Sequence, residues 1–286
     1  MDFNINFPHL HIYLPHVIKN FSIGKFSVAM YGVCIAIGVI CGLFLVRHRA
    51  RQTGQNPDDY IDLAILGVIF GIIGARIYYV IFAWDMYKDN LFSVFKIWEG
   101  GLAIYGGIIA AVITAVAFSK RKNIPFFKVA DTACLGLIAG QIIGRWGNFF
   151  NREAFGGYTD GLFAMQLPIS AVRANDMTDE LLANTVMYGG VEYIQVHPTF
   201  LYESVWNLAV LILLLFLGKV IKVNGQIFWL YLIGYGAGRF LIERLRTDQL
   251  LLPGTKVPVS QLLSGVLVAF SIVMIILFQK RALQKN

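Results

Sequence analysis

Charged residues are scarce in this chain of 286 residues, since Asp, Glu, Lys and Arg together make up only 14% of it. Ordinary soluble domains carry about 25% charged residues. Hydrophobic residues, by contrast, make up 57% of the chain. This composition excludes an ordinary soluble fold and indicates a protein that lies largely within a membrane.

Cysteine and histidine are too few and too scattered to suggest a metal site. The five histidines include no HExxH-type pair, and we expect no bound metal. The three cysteines lie far apart in apolar segments, which is typical of small core residues. The formal net charge of +7 could suggest nucleic acid, but no basic run with interleaved aromatic residues occurs in a polar segment. We therefore expect no nucleic-acid partner.

Seven apolar segments are each long enough to cross a bilayer, which takes about 20 residues of helix. They predict an all-α fold class: a polytopic membrane protein with about seven transmembrane helices, built as a single integral membrane domain over residues 1–286. A polar insert at about residues 149–196, between the fourth and fifth segments, is predicted to form an outward-facing, extracytoplasmic head. The predicted spans are Ser27–Val46, Ile61–Phe82, Leu102–Phe118, Val129–Asn148, Phe200–Leu217, Ile227–Ile242 and Ser260–Phe278.

The lysines and arginines predict the orientation of these spans. Twelve of the 24 cations fall in the segments that follow the first, third, fifth and seventh spans, and the positive-inside rule assigns such segments to the cytoplasm. The N-terminus and the insert then face outward, and the C-terminus is cytoplasmic. Because residues 1–26 lack the pattern of a cleavable signal peptide, the first span is expected to be retained. The twelve cations are Arg47, Arg49, Arg51, Lys120, Arg121, Lys122, Lys128, Lys219, Lys222, Lys280, Arg281 and Lys285.

Polar side chains line up on one face of two predicted spans. Arg145 and Asn148 share a face at the end of the fourth span. In the sixth span, four side chains lie within about 80° of one another at 100° per residue: Tyr235, Arg239, Glu243 and Arg246. A charged residue at membrane depth marks a functional site by default.

These arginines allow two interpretations. Two guanidinium groups that converge on a lipid-accessible cavity would bind a phosphodiester, because their N–H forks match phosphate oxygens. Alternatively, Arg239 could pair with Glu243, and Arg145 with Glu153 or Glu203, in an ion network that only joins helices. So many buried charges would stabilise a bundle poorly, which favours the functional interpretation.

The segment GRWGNFFNREAFGG, from Gly144 to Gly157, closely resembles the defining motif of the prolipoprotein diacylglyceryl transferases. The resemblance covers the whole chain. It includes the Tyr31-Gly32 pair, Gly74-Ala75-Arg76, WEGGLAIYGG from Trp98, HPTFLYE from His197 and GYGAGRFLIERLR from Gly234.

The resemblance implies an activity. These bacterial enzymes of the cytoplasmic membrane move a diacylglyceryl group from phosphatidylglycerol to the lipobox cysteine in the signal peptide of a prolipoprotein. The thiol attacks the glycerol carbon that bears the phosphate ester, a thioether forms, and glycerol 1-phosphate leaves. No cofactor is required. The implied partners are phosphatidylglycerol, the prolipoprotein and membrane lipids.

The resemblance also implies site residues. Arg145 and Arg239 would hold the lipid phosphate, and Asn148 and Tyr31 would orient the headgroup. Glu153 and Glu243 would keep the arginines in place. The residues carried over as catalytic or lipid-binding are Arg145, Asn148, Glu153, Gly156 and Arg239, with Tyr31, Tyr235, Glu243 and Arg246 as supporting members.

One position departs from the family pattern. Many members have a histidine before the paired glycines of the third span, where it has been cast as the general base; this chain has Tyr105. A phenol with a pKa near 10 is a poor base at pH 7, so either the general base lies elsewhere or proton removal is not carried by one residue. Tyr105 is therefore expected to act as a hydrogen-bond donor, unless it only packs beside Gly106 and Gly107.

Two other classes of function remain open on sequence grounds. A secondary transporter for an anionic lipid or small anion would also use a cavity with cations, although transporters usually show internal repeats and sites near the midplane. A membrane scaffold without catalysis would not need the polar helix faces.

Overall fold

A computed structural model describes residues 4–255 and 257–284, without the side chains of residues 99 and 281–283. Lys285, one of the cations that predict the orientation, lies outside the described residues. The protein is mostly helical, at 64%, which confirms the predicted class. Its long helices are α1 (Met30–Gln52), α2 (Asp59–Phe82), α3 (Ile104–Lys122), α4 (Phe126–Asn151), α6 (Thr199–Val220), α7 (Gln226–Glu243) and α8 (Val259–Leu283), with a short α5 (Asp179–Ala183) between α4 and α6.

Six of these helices, among the residues described, are long and apolar enough to cross a membrane. The chain is therefore a multi-pass membrane protein. Helix α7 is not one of the six: it has 18 residues, and Arg239 and Glu243 lie within it. The seventh span thus stays a prediction.

The region outside the long helices contains β-strands, although the apolar pattern predicts an all-α fold class. A five-stranded antiparallel sheet has the order β2-β1-β5-β7-β6, and a separate hairpin pairs β3 with β4. The strands are β1 (Ile5–Phe7), β2 (Ile12–Leu14), β3 (Asn20–Ile23), β4 (Phe26–Ala29), β5 (Met165–Pro168), β6 (Val186–Tyr188) and β7 (Val191–Val196). The N-terminal strands β1 and β2 therefore complete a sheet that the predicted insert only begins.

The chain divides into two compact units. One comprises residues 1–42 and 134–286, and the other residues 43–133. In the first unit a buried apolar core joins the sheet to the last turn of α4 through Phe149 and to the first turn of α6 through Phe200. The Gly144–Gly157 motif, which begins in α4 and continues past its end, is therefore packed against this core through Phe149 and Phe155.

In the second unit, Arg76 of α2 ties down the loop that leads to α3. The residue is 6% exposed, and its guanidinium donates to backbone carbonyls of the loop. Nε donates to Val94 O at 2.7 Å, Nη1 to Gly100 O at 2.7 Å and Nη2 to Ser93 O at 2.6 Å. The same guanidinium lies over the ring of Tyr87, 5.0 Å from its centroid. One buried side chain thereby fixes the backbone of a loop that has no sheet or long helix of its own.

Candidate active site

Glu203, in the second turn of α6, is a buried carboxylate shared by arginines from other segments of the first unit. It is 4% exposed. Its Oε2 lies 2.5 Å from Nη2 of Arg145 on α4, and its Oε1 accepts a hydrogen bond from Nη1 of Arg239 on α7 at 3.0 Å. Arg246, after α7, brings Nη1 to 4.0 Å from the same Oε1. Glu203 therefore joins three segments of the chain at one point.

Two further carboxylates complete this arginine cluster, by which we mean Arg145, Arg239 and Arg246 with their acidic partners. Arg239 Nη2 lies 2.5 Å from Glu243 Oε2, one turn along α7. Arg246 donates through Nε and Nη2 to the two oxygens of Asp248, at 2.8 and 2.6 Å. Three guanidinium groups thus face three carboxylates, and the cluster is close to neutral.

The three arginines differ in how fully their donors are used. Arg246 has a bidentate pair, and Arg239 uses both terminal nitrogens on carboxylates. Nη2 of Arg145 contacts Glu203. Its Nη1 lies 3.5 Å from Asn148 Oδ1, at the limit of a hydrogen bond. Its side chain is also 20% exposed. A guanidinium has five N–H donors, so Arg145 has the most capacity for an added anion.

Glu153 fixes Asn148 from the turn that follows α4. It accepts a hydrogen bond from Asn148 Nδ2 at 3.2 Å and one from Asn151 Nδ2 at 3.2 Å. Its other oxygen lies 2.5 Å from Nη2 of Arg173, an exposed residue of the insert. Glu153 was expected to hold the arginines of the site, but the arginine it contacts is Arg173, and its link to Arg145 runs through Asn148.

Gly156 allows the backbone after α4 to pass between two other segments. Its amide donates to His197 O at 3.0 Å, and the next amide, of Gly157, donates to Leu245 O at 2.8 Å. A Cβ atom at Gly156 would lie 2.7 Å from His197 Cβ and 2.8 Å from Leu245 O. No side chain fits there without moving backbone, so glycine is required for this close approach.

The two tyrosines assigned to the first unit pack against its helices. Tyr31 of α1 lies against Gly147, where an added Cβ would come within 2.6 Å of the ring. Tyr235, one turn before Arg239, stacks on Tyr231 with ring centroids 6.0 Å apart. The hydroxyl of Tyr231 accepts a hydrogen bond from Gln141 Nε2 at 3.0 Å. Tyr31 and Tyr235 therefore occupy fixed positions, while their contacts with lipid stay predictions.

Tyr105, the remaining predicted site residue, belongs to the second unit. It is the second residue of α3 and is half-buried. Its role in catalysis stays a prediction.

Three residues of the cluster and its surroundings were not among the predicted site residues: Glu203, Asp248 and Arg173. Glu203 was named only as a possible partner of Arg145, although an acid within an apolar span must find a cation. Asp248 lies two residues after Arg246, but sequence distance alone does not reveal a bidentate pair. Arg173 gave no signal, since it is one of several charges in the insert.

The arginine cluster and the Gly156–Gly157 turn are built from the segments whose sequences resemble one family. The family model described as prolipoprotein diacylglyceryl transferase matches residues 19–277. The chain belongs to this family. It is 43% identical over 258 residues, 90% of each chain, to proteins of Bacillus mycoides and Bacillus cereus named phosphatidylglycerol–prolipoprotein diacylglyceryl transferase. A Bacillus anthracis protein of the same name is 42% identical over the same length.

Membership of the prolipoprotein diacylglyceryl transferase family confirms the resemblance of the motifs and makes the chain a transferase. The matched residues include every long helix except the end of α8. The arginine cluster therefore lies within the part of the chain that defines the family.

Proposed function

We propose that this protein transfers the diacylglyceryl group of phosphatidylglycerol to the thiol of a lipobox cysteine in prolipoproteins, the first step of bacterial lipoprotein maturation. The observation that carries the assignment to a site is the sharing of Glu203 by Arg145 and Arg239. Two guanidinium groups from different helices reach one anionic group with two oxygens. The phosphate of a lipid headgroup has the same requirement.

Arg145 is the primary phosphate ligand in this proposal, and Arg239 the second. Arg145 has donors to spare, whereas Arg239 is held in position by Glu203 and Glu243. Arg246, whose Nε and Nη2 are both occupied by Asp248, is a supporting member of the cluster and not a direct phosphate ligand. Asn148 and Tyr31 orient the headgroup, and Tyr235 and Gly156 shape the space around it.

The reaction increases negative charge on the phosphate. The sulfur forms a bond to the glycerol carbon while the bond from that carbon to the phosphate ester oxygen breaks. The bonding pair stays on the oxygen, and the phosphodiester with one negative charge leaves as a phosphate monoester with two. Arginines fixed beforehand by Glu203 and Glu243 stabilise the added charge without reorganising, which is often the largest contribution to catalysis. The chemistry needs no cofactor.

Orientation and location belong to the same proposal. The cations of alternate segments support a protein of the bacterial cytoplasmic membrane with its N-terminus outside and its C-terminus in the cytoplasm. Single cysteines introduced at Asp160 or Asp179 should react with an impermeant maleimide added to intact cells, and one at Lys122 should not. Labelling at Lys122 would place the site on the wrong side for an exported substrate.

A purified-protein assay tests the activity itself. The protein, phosphatidylglycerol and a lipobox peptide should yield a peptide whose mass has increased by one diacylglyceryl group, without any nucleotide. A peptide with serine in place of the lipobox cysteine is the matched control and should not react. If the protein instead moves lipid or anions across vesicle membranes and never modifies the peptide, it is a transporter and the proposal fails.

A further inference from the structure

The thiol of the lipobox must lose a proton, and Tyr105 is a poor base for that step. A histidine is suited to it, because its pKa lies near 6.5. His197 lies in the first unit, in the short link between β7 and α6 and thus outside the helices that could span the membrane. Among the histidines of the described residues, it is the only one whose backbone pairs with the glycine turn Gly156–Gly157, at the end of the motif that begins at Gly144.

The backbone of His197 is held beside that motif from both sides. Its carbonyl accepts from Gly156 N at 3.0 Å, and its amide donates to Gly157 O at 3.1 Å. The Gly156–Gly157 turn is bonded on its other side to Leu245, the residue before Arg246. The backbones of His197 and Arg246 therefore flank the same glycine turn, and the turn links the segment that carries His197 to the segment that carries one arginine of the cluster.

The side chain of His197 has one ring nitrogen engaged and one available. Nδ1 lies 3.3 Å from the hydroxyl oxygen of Tyr202, one turn into α6. When Nδ1–H donates to this oxygen, Nε2 keeps its lone pair. In the described part of the chain Nε2 has no hydrogen-bond partner, so it can receive a proton from a ligand.

The surroundings keep this imidazole neutral. Burial lowers the pKa of His197, and no described carboxylate forms an ion pair with it. The titratable and charged groups on the elements around it are Tyr202 and Glu203 on α6, Glu192 and Tyr193 on β7, Tyr158 opposite Val196, and Arg246 with Asp248 after α7. The carboxylate of Glu203 is paired with Arg145 and Arg239. The cation of Arg246 is already compensated by Asp248. A neutral histidine keeps a lone pair that can accept a proton, which a general base needs.

We propose that His197 is a catalytic residue that accepts the lipobox thiol proton at Nε2, with Tyr202 as the positioning residue that orients its ring. The inference rests on the proposed transferase activity. As the proton passes from sulfur to Nε2, the thiolate attacks the glycerol carbon and the phosphate monoester leaves. The imidazolium then returns the proton to the departing phosphate or to water, so that protons and charge balance.

The first test is a pH profile of kcat/KM with phosphatidylglycerol and a lipobox peptide. The neutral imidazole is the active form, so activity should be lost as pH falls through the pKa of His197, which lies below the usual 6.5. His197→Gln should reduce kcat/KM by about 100-fold to 1,000-fold, as expected for a lost general base, and should remove this acid limb. Tyr202→Phe should retain the limb, shift it, and lower the rate by about 3-fold to 10-fold, an effect of the size of one hydrogen bond.

The second test replaces the lipobox cysteine of the peptide by selenocysteine. A selenol is already ionised at neutral pH and needs no base. The defect of His197→Gln should therefore shrink to within about 10-fold of the wild-type protein on the selenocysteine peptide. Arg145→Ala is the matched control, and its defect should persist on both peptides because it concerns the phosphate.

Several outcomes would overturn the inference. His197→Gln could stay within about 3-fold of wild type, or it could be equally defective on both peptides, which would indicate a structural role. If His197→Gln does not fold, Tyr202→Phe decides, and a wild-type rate and acid limb in that variant exclude the proposed pair. Loss of all transfer by the wild-type protein would instead reject the proposed function.

Discussion

Arg76 and Arg145 both lie on long apolar helices, but different acceptors satisfy them. Arg76 donates to backbone carbonyls of its own loop, including those of Ser93, Val94 and Gly100. Arg145 faces the side chains of Glu203 and Asn148. The first set of acceptors belongs to the main chain, and the second belongs to side chains that can rotate.

This difference separates a structural arginine from a ligand-binding one. A ligand could compete for Arg76 only by unfolding the loop, because each carbonyl is part of the backbone. At Arg145 an incoming phosphate can share or replace a carboxylate with a small side-chain movement. The acceptors of a buried arginine are therefore better evidence for its role than its depth along an apolar helix.

The largest expected effect on activity comes from removing an arginine that binds the lipid phosphate. Arg145→Ala or Arg239→Ala should reduce transfer at least about 100-fold, because the phosphate loses a guanidinium where charge develops. Arg→Lys at either position should rescue poorly, since an ammonium cannot reproduce the fork. Initial rates of peptide lipidation measure the effect, and the amount of protein in the membrane should be unchanged. Near-normal activity in an alanine variant would contradict the phosphate assignment.

The structural side predicts a loss of stability. Arg76→Ala leaves several loop carbonyls without their donor, and each unsatisfied buried group costs about 1 to 3 kcal/mol. We expect a loss of about 3 kcal/mol or more, visible as a lower midpoint of thermal unfolding in detergent and faster proteolysis within residues 84–101. Arg145→Ala serves as the control and should unfold closer to the wild-type midpoint. Equal shifts in the two variants would remove the distinction between the arginines.

Tyr105 tests whether the second unit contributes only structure. It follows the loop that Arg76 fixes. If its hydroxyl donates to the lipid or leaving group, Tyr105→Phe should lower the rate by about 10-fold to 150-fold, the cost of about 1.5 to 3 kcal/mol for a hydrogen bond to a charged group. Tyr105→His, which supplies another donor, should retain more activity. Full activity of Tyr105→Phe would leave a packing role only.

The sequence predicts the long helices well because each is a continuous apolar run. The second predicted span, Ile61–Phe82, corresponds to the helix Asp59–Phe82. The sixth, Ile227–Ile242, corresponds to the helix Gln226–Glu243. The strands have three to six residues, and β1 and β5 are buried throughout, so they lack the alternation that marks a strand.

In the site, too, contacts within one helix could be predicted from the sequence, whereas contacts between distant segments could not. Helical spacing correctly pairs Arg239 with Glu243, because both lie on one helix. It could not choose between Glu153 and Glu203 as the partner of Arg145, since that choice depends on how α6 packs against α4. The bond from Glu153 to Arg173 depends on the path of the insert, which no helical or strand period describes.

The smallest expected effect concerns the ion pair between Arg173 and Glu153. Arg173 is an intermediate case between Arg76 and Arg145. Arg173 binds a carboxylate, as Arg145 does, but its side chain is 65% exposed. Exposed ion pairs contribute about 0.2 to 1 kcal/mol, so Arg173→Met should lower the transfer rate by no more than about 5-fold. Glu153→Gln should cost more, because Glu153 also orients Asn148. In a double-mutant cycle, Arg173→Met should add little to Glu153→Gln, and high salt should reduce the wild-type rate toward that of Arg173→Met. Additive effects that do not change with salt would show that Arg173 acts on the reaction independently of Glu153.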